Sequence, residues 1–521
     1  MKKLPIGTQV FETLIKNNLL YVDKTQKVYD IISNPGVSQY FLSRPRRFGK
    51  TLLCWTLEAL FSGKKELFEG LAISKADWKW ESYPVIHLNM SEGTYSDGVA
   101  DTKKSIQALL KSNAQKLGIK LFLKDPLAIQ FKKLIEDSVK KYGKQAVVII
   151  DEYDTPLLRV INEAEKFKEN RDILRDFFNM IKANEENIRF AFLTGITKFA
   201  KVSVFSTLNN LTDLTLDPQF ADICGITQEE LERDFAGYIE KFAVEHGGKE
   251  SYLNSLKNFY NGYRFSKNEV TVYNPFGLVN HFKTGEFNAY WFESGTPSYL
   301  MNLIESQKVD ILTFKNMIVP ASGLNKYDTE NVQAVPMLYQ SGYLTIVKYN
   351  RDTDNYTLDY PNTEVRAAFS DELAVKYLGI AESNKNTLIG NISEYFFNGD
   401  ITSAIELALK PFLAGIPYEI TIRHEHYFQS LFHVIFNALG LKCDSEVAIA
   451  TGRIDSVVET PKYIYCFEFK LDKTAQEAIK QIDDNDYLAP YRGKGKTLFK
   501  VGVNFNYEER KIEDWIFEKE E

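Results

Sequence analysis

The chain has 521 residues, of which 44% are hydrophobic and 26% charged, and its formal net charge is −7. That composition excludes a disordered chain, and the acidic balance excludes a surface built throughout to hold nucleic acid, so any such surface is a local patch. No run approaches the roughly 18 apolar residues of a membrane span. MKKLPIGTQVFETL lacks a signal-peptide apolar core. Cys54, Cys224, Cys443 and Cys466 are scattered without metal-ligand spacing, so the expectation is a cytoplasmic protein with small buried thiols and no membrane partner.

The length suggests three or four domains. Residues 1–37 mix a short helix with YVDKT. A strand at 38–43 leads into RPRRFGKT (44–51), and TLLCWTLEALF (51–61) follows with helical spacing of its apolar groups. VIHLNM (85–90) reads as a strand, 100–142 as two or more helices, AVVIIDEYD (146–154) as an apolar strand ending in acids, and FAFLTG (190–195) as another strand. Strands alternating with helices imply a parallel sheet covered on both faces, so residues 1–225 form one α/β domain. Residues 226–410 break into helical pieces at NGYRFS, YNPFG and SGTPSY, followed by the strands GYLTIV and YTLDYP, which reads as helical and small mixed α/β subdomains. From 411 to 521 an amphipathic helix (425–440) precedes strands at 446–450, 454–459 and 463–469, a helix at 474–483 and a last strand at 497–505.

RPRRFGKT nearly matches the phosphate-binding pattern GxxxxGK[ST] between a strand and a helix. Gly49, Lys50 and Thr51 stand in place, but Arg44 holds the first glycine position. In such a loop consecutive backbone N–H groups face the polyphosphate and the helix N-terminus adds partial positive charge, so Arg46, Arg47, Phe48 and Gly49 are nucleotide-binding candidates, with the charge of 44–47 compensating in part for the missing glycine. Lys50 reaches the β- and γ-phosphates and the Thr51 hydroxyl ligates Mg²⁺. Ligands bind at the carboxyl ends of parallel strands, which assigns Asp151 to Mg²⁺ and Glu152 to polarising the attacking water. Thr194, at the tip of the next strand, is a candidate γ-phosphate sensor. If Arg44 filled the phosphate pocket, the domain would instead be a scaffold that never binds ATP.

These segments together resemble the bacterial AAA-ATPase-like proteins. YVDKT (21–25), RPRRFGKT, IIDEYDTPL (149–157), TGITKF (194–199) and NNLTDLTLD (209–217) carry the resemblance, with NGYRF, VYNPF and SGTPSYL in the middle region. Arginine in the first glycine position is typical of that family. The resemblance implies ATP binding through Lys50 and Thr51, with Asp151 and Glu152 as the acidic pair. ATPases of this kind commonly complete their site with a neighbour's arginine, for which Arg159 and Arg264 are guesses, and a homo-oligomer is a possible partner arrangement.

TGRIDSVVETPKYIYCFEFK (451–470) carries a second chemistry. Alternation along a strand puts Glu468 and Lys470 on one face and Phe467 and Phe469 on the other, toward a core. Asp455, on the preceding strand, can face them. Two carboxylates and a backbone carbonyl make an oxygen-rich Mg²⁺ site, and the metal activates water and stabilises charge on a phosphodiester. Asp455 and Glu468 are the metal ligands on this reading, and Lys470 positions the water or stabilises the pentavalent phosphorus.

The spacing is that of the PD-(D/E)XK nucleases, and the C-terminal region resembles the nuclease domain usually fused to the ATPase-like family. Glu425 matches that pattern's helical glutamate, with Glu446 competing for the role. Gln481, with Tyr487 after it, resembles the glutamine–tyrosine helix of RecB-like members. Ile454 replaces the proline of the pattern. The expected partner is DNA, yet residues 411–521 carry 14 Lys+Arg against 19 Asp+Glu, which argues against strong duplex binding by this region alone. Arg453, Lys473, Arg492, Lys494, Lys496 and Lys500 are the candidate contacts. The resulting expectation is a P-loop ATPase coupled to a Mg²⁺-dependent nuclease. The alternative is a nucleotide-switched regulatory protein whose nuclease-like domain binds without cutting.

Overall fold

The computed structural model describes residues 1–198, 210–294, 298–307, 309, 314–324, 332–378, 392–410, 425–438, 441–509 and 511–520, with the side chains of 293–294, 374–378, 408, 425–428 and 438 excepted. The chain forms two compact units. One comprises Met1–Glu293, Asn302–Gln307 and Asn316–Asn362; the other comprises Ser294–Met301, Lys308–Lys315 and Thr363–Glu521. Among the described residues no helix is long and apolar enough to cross a membrane.

The first unit is built on a five-stranded sheet of β1 (Gln39–Ser43), β2 (Val85–Asn89), β3 (Ala146–Asp151), β4 (Ile188–Gly195) and β5 (Thr212–Asp213), in the order β2-β3-β4-β1-β5. All its pairings are parallel. β1 and β3 are buried along their whole length, as unbroken apolar runs require when helices cover both faces. Those helices are Lys50–Phe61, Val99–Lys116, Leu127–Tyr142 and Ala164–Ala183; Phe131 and Phe177 stack between two of them with ring centroids 4.4 Å apart. Because the strands are parallel, the ends of β1, β3 and β4 open on one edge, and β4 lies between the other two.

Beyond the sheet, helices Gln228–Asp234, Ala236–Ala243, Lys249–Tyr260 and Pro275–Thr284 enclose a core that includes Leu231, Phe235, Ile239, Tyr252, Leu256, Tyr260, Leu278 and Phe282. Their ends follow local chemistry. Thr227 and Glu230 form a reciprocal capping box, and Asn274 caps a helix whose first residue is Pro275. A three-stranded antiparallel sheet, β6 (Met317–Pro320), β7 (Thr345–Asn350) and β8 (Asn355–Asp359), has β8 in the centre. Gly262 joins these parts at φ 97°, and a Cβ there would lie 1.8 Å from the Pro361 carbonyl oxygen, so only glycine fits.

His281 is buried in this helical core. Its Nδ1 lies 2.8 Å from the Glu286 carbonyl and its Nε2 2.7 Å from the Tyr252 hydroxyl. A neutral ring satisfies both, with Nδ1–H donating and Nε2 accepting. Burial lowers its pKa from 6.5 to about 4. The unfolded chain therefore takes up a proton that the folded chain refuses, and stability falls as pH drops from about 6.5 to about 4, by an amount on the order of 3 kcal/mol. Denaturant melts at pH 7 and pH 5 should show about 2 kcal/mol of that loss, and His281→Gln should flatten it; equal slopes in both proteins would contradict it.

The second unit centres on β9 (Lys442–Ile449), β10 (Gly452–Glu459), β11 (Tyr463–Leu471), β12 (Thr497–Asn506) and β13 (Lys511–Lys519), in the order β13-β12-β11-β10-β9. Only the β11–β12 pairing is parallel. Two features differ from the sequence expectation. β9 begins at Lys442 rather than 446, and β13 follows the strand expected to be last. KIEDWIFEK is mostly exposed, as an edge strand facing solvent is, and so carries little apolar signal.

Both faces of β11 are covered. Phe467 and Phe469 pack on Phe432 of helix Glu425–Ala438 at 6.3 and 4.8 Å between ring centroids. On the other side Ile464 and Cys466 join Ile454, Val457, Ile479, Ile482, Tyr487 and Leu488. Glu468 and Lys470 share the parity of that second face, so they sit on the central strand of a two-sided core.

Candidate nucleotide and nuclease sites

The loop after β1 turns on two left-handed residues, Arg47 at φ 64° and Gly49 at φ 94°. A Cβ on Gly49 would meet nothing within 4 Å, so the glycine is there for its φ and the space above it is open. Lys50 curls back over the loop, its Nζ donating to the carbonyls of Arg44 (3.0 Å) and Pro45 (2.9 Å). Arg44 turns the opposite way. Its buried guanidinium donates to the carbonyls of Ser43 and Thr215, each at 2.8 Å, and of Phe220 at 2.9 Å, and lies 4.3 Å from the centroid of the Phe265 ring. The arginine in the glycine position therefore spends its guanidinium on backbone carbonyls and ties the loop's first residue to 215–220.

The middle region braces the outside of the same loop. Phe48 is buried against Tyr263 and Phe265 at 4.7 and 5.5 Å. The Arg47 guanidinium stacks 3.7 Å from the centroid of Phe276, and Trp291 Nε1 donates to the Arg46 carbonyl at 3.2 Å. NGYRF and VYNPF thus supply the seat of the loop. Phe48 can offer a ligand only its backbone, whereas the Arg46 side chain is exposed. Arg264 is buried, donating to the carbonyls of Ser266, Val347 and Lys267. It cannot reach into a neighbouring subunit, which removes it as the arginine supplied in trans. Arg159 is exposed.

Asp151, at the end of β3, is fully buried and neither carboxylate oxygen has a hydrogen bond of ordinary geometry. Burial raises its pKa, and the nearby Thr51 hydroxyl is the largest opposing influence, with Lys50 also pulling it down. Glu152 is half-buried and held at φ 51°, a conformation costing about 1–2 kcal/mol in a non-glycine residue. Strain of this kind persists where surroundings over-determine it, often at functional sites. Thr194 is placed differently from the sensor role: its hydroxyl is buried and donates to the Leu42 carbonyl at 2.7 Å, so it is occupied within the sheet. The polar residue that shapes this edge is Asp154. Its Oδ2 accepts from the backbone of Ile196 (3.0 Å) and Thr197 (2.7 Å) and from the Thr197 hydroxyl (2.6 Å), fixing the turn after β4.

In the second unit, Asp455, Glu468 and Lys470 converge. Ser456 pairs with Phe467 across β10 and β11; one step further the antiparallel register brings Asp455 opposite Glu468, and Asp455 Oδ2 accepts from the Phe469 backbone N–H at 2.8 Å. Lys470 Nζ donates to Glu468 Oε1 at 2.8 Å and to the Phe469 carbonyl at 3.1 Å. Glu468 is 1% and Lys470 7% exposed. The ammonium thus rests on two of the oxygens that a divalent cation would take, beside a second carboxylate.

Around this cluster, Gln481 Nε2 donates to the Tyr487 hydroxyl at 3.2 Å, and the charges of Glu468 and Asp455 help raise the Tyr487 pKa behind the larger effect of burial. Glu425 opens the helix of this unit, and its side chain lies outside the described ones. Gln429, one turn on, was missed by sequence reasoning; its Nε2 donates to Glu446 Oε1 (2.7 Å) and to the Asp455 carbonyl (3.0 Å). Glu446 does not begin its strand. It sits within β9 at φ 53°, between Ser445 and Val447, whose partners Ser456 and Ile454 skip Asp455. The unchanged register on either side places Glu446 opposite Asp455, and its left-handed backbone interrupts the pairing there. A glutamine on the apolar face of an amphipathic helix was the one available signal.

The basic residues expected to meet DNA are largely paired with acids. Arg453 holds Glu446, Arg492 holds Asp486 and Glu520, Lys496 holds Glu459, and Lys500 holds Asp483. Lys494 lies over the Tyr491 ring.

Comparison with known proteins follows this division. Residues 5–205 match a family model described as a predicted AAA-ATPase, and residues 423–515 match the PD-(D/E)XK nuclease superfamily. A curated relative from Azotobacter chroococcum mcd 1, described as an uncharacterized protein in the vnfD 5′ region, is 34% identical over 528 residues and covers 99% of both chains. Among solved structures, the Aeropyrum pernix ORC2 protein in ADPNP-ADP complexes aligns with 85% of this chain and 88% of its own at 12% identity and a TM-score of 0.29. The Aeropyrum pernix ORC1 protein in complex with DNA aligns with 68% of this chain and 93% of its own, at 12% identity and 0.26.

Proposed function

Since the chain belongs to the AAA-ATPase-like family and carries a PD-(D/E)XK nuclease superfamily domain at its C-terminal end, we propose that it binds Mg²⁺·ATP at the loop 44–51 and cuts DNA with Mg²⁺ at Asp455, Glu468 and Lys470. The observation that carries this reading is the convergence of the buried Glu468 and Lys470 and the Phe469 carbonyl on the central strand β11 with the half-buried Asp455 of β10. A lysine and a glutamate held together in a two-sided core cost more to bury than a pair of apolar residues of similar volume, and metal-dependent chemistry accounts for their presence.

The residues fit the cations assigned to them. At the nuclease site Glu468, Asp455 and the Phe469 carbonyl are hard oxygen donors suited to Mg²⁺, which when bound lowers the pKa of its water and stabilises charge on the phosphodiester. Lys470, released from Glu468 and Phe469, moves to the attacking water or the phosphate oxygens. Gln429, bonded to Glu446 and to the Asp455 carbonyl, holds the Asp455 segment in place. At the nucleotide site Asp151 and Thr51 are the Mg²⁺ ligands, and Glu152 orients the attacking water. Lys50 exchanges the carbonyls of Arg44 and Pro45 for phosphate oxygens, and the N–H groups of 46–50 hold the polyphosphate. DNA is gripped partly by surfaces other than the C-terminal cations, because those are paired. Purified protein given single- and double-stranded DNA with Mg²⁺ or Mn²⁺ should cleave, and Asp455→Asn should not; DNA binding without cleavage in either metal would favour a regulatory protein.

A further inference from the structure

Behind the nucleotide loop three side chains of different chemistry converge. Cys54 lies on the helix that follows the loop, His87 is central in β2, and Asp151 ends the adjacent β3. All three are buried, and the ligand atoms they offer lie within 4.8 Å of one another. His87 Nδ1 is 2.6 Å from Glu58 Oε2. The carboxylate only accepts, so Nδ1 carries a proton, and in the neutral ring Nε2 offers its lone pair. That Nε2 is buried without a hydrogen-bond partner, as are both oxygens of Asp151. Orphaned buried polar atoms cost about 1–3 kcal/mol each, and here they gather at one point beside a thiol. A carboxylate on the far nitrogen is also what fixes the tautomer and orientation of metal-binding histidines.

We propose that Cys54 Sγ, His87 Nε2 and the Asp151 carboxylate bind a thiophilic divalent cation of the zinc class. The mixed sulfur, nitrogen and oxygen donors suit such an ion, whereas Mg²⁺ takes oxygen alone. Tetrahedral zinc bonds of about 2.0–2.3 Å hold their donors roughly 3.3–3.8 Å apart, so the three side chains need close by no more than about 1–1.5 Å on binding. The Cys54 S–H bond breaks, its electron pair passes to the metal, and its proton leaves to solvent. Three protein ligands leave a fourth position open. Asp151 also belongs to the Mg²⁺ set of the nucleotide site, so the two cations compete for it. That competition, unlike the site itself, rests on the nucleotide reading above.

Cobalt is the probe. Full-length protein titrated with Co²⁺ should develop a near-ultraviolet thiolate-to-metal band that Zn²⁺ displaces. Cys54→Ser should lose the band and Cys224→Ser keep it, with the far-ultraviolet dichroism unchanged. Glu58→Gln, which alters no ligand, should weaken Co²⁺ binding roughly 10–100-fold. Absence of the band in the wild type, or its survival in Cys54→Ser, overturns the site. Mg·ADP, its own binding followed by calorimetry, should abolish the band. A band that persists with Mg·ADP bound overturns the sharing of Asp151. A cobalt band in a protein that binds no nucleotide sinks the nucleotide reading and leaves the metal site standing.

Discussion

Lys470→Ala should eliminate metal-dependent DNA cleavage, by at least about 10²–10³-fold, the scale expected when a preorganised charge is removed from a reaction centre. It should also destabilise the fold, because Glu468 loses its ion-pair partner while 1% exposed. Breaking a buried pair from one side costs about 3–5 kcal/mol. The two effects separate experimentally. The double variant Glu468→Gln/Lys470→Met removes both charges, so it should recover much of the lost stability and none of the cleavage. Mg²⁺ should raise the melting temperature of Lys470→Ala more than that of the wild type, because a cation on Glu468 and Asp455 replaces the missing ammonium. Cleavage that survives Lys470→Ala would remove the residue from the chemistry.

Lys50→Ala should weaken Mg·ATP binding about 10–100-fold or more, as expected for losing charge-assisted bonds each worth about 1.5–3 kcal/mol. In the nucleotide-free protein Lys50 donates to the carbonyls of Arg44 and Pro45, so each protein's unliganded melting temperature serves as its own baseline. A ligand that binds only the folded state raises its melting temperature by mass action. Scanning fluorimetry with and without Mg·ATP should therefore show an upward shift in the wild type and almost none in Lys50→Ala. Equal shifts in both would show that the nucleotide binds elsewhere.

The parts legible in the sequence were those with local periodicity. The run Val147–Ile150 ending in Asp151 and Glu152 is a buried parallel strand by composition alone, and alternation in YCFEFK separated Glu468 and Lys470 from Phe467 and Phe469. What depended on distant contacts was hidden. Arg44 could be read only as a damaged glycine position, because its partners Thr215, Phe220 and Phe265 lie more than 170 residues away. Likewise, NGYRF and VYNPF were recognisable strings whose task, bracing Phe48 and Arg47, appears only in three dimensions. Thr194 sat at the expected strand tip, but nothing local specified that its hydroxyl would turn to Leu42. Glu446 takes a left-handed backbone conformation without the glycine that usually announces one, and the solvent-facing β13 carries too few apolar residues to declare itself.

We propose that a nucleotide switch and a DNA-cutting site act together in one chain. The most direct measurement is the rate of DNA cleavage by full-length protein in Mg²⁺, with and without ATP, in the wild type and in Lys50→Ala. ATP should change the wild-type rate and leave the Lys50→Ala rate unchanged, with Asp455→Asn inactive throughout. Cleavage indifferent to ATP in the wild type, or equally responsive in Lys50→Ala, would contradict it.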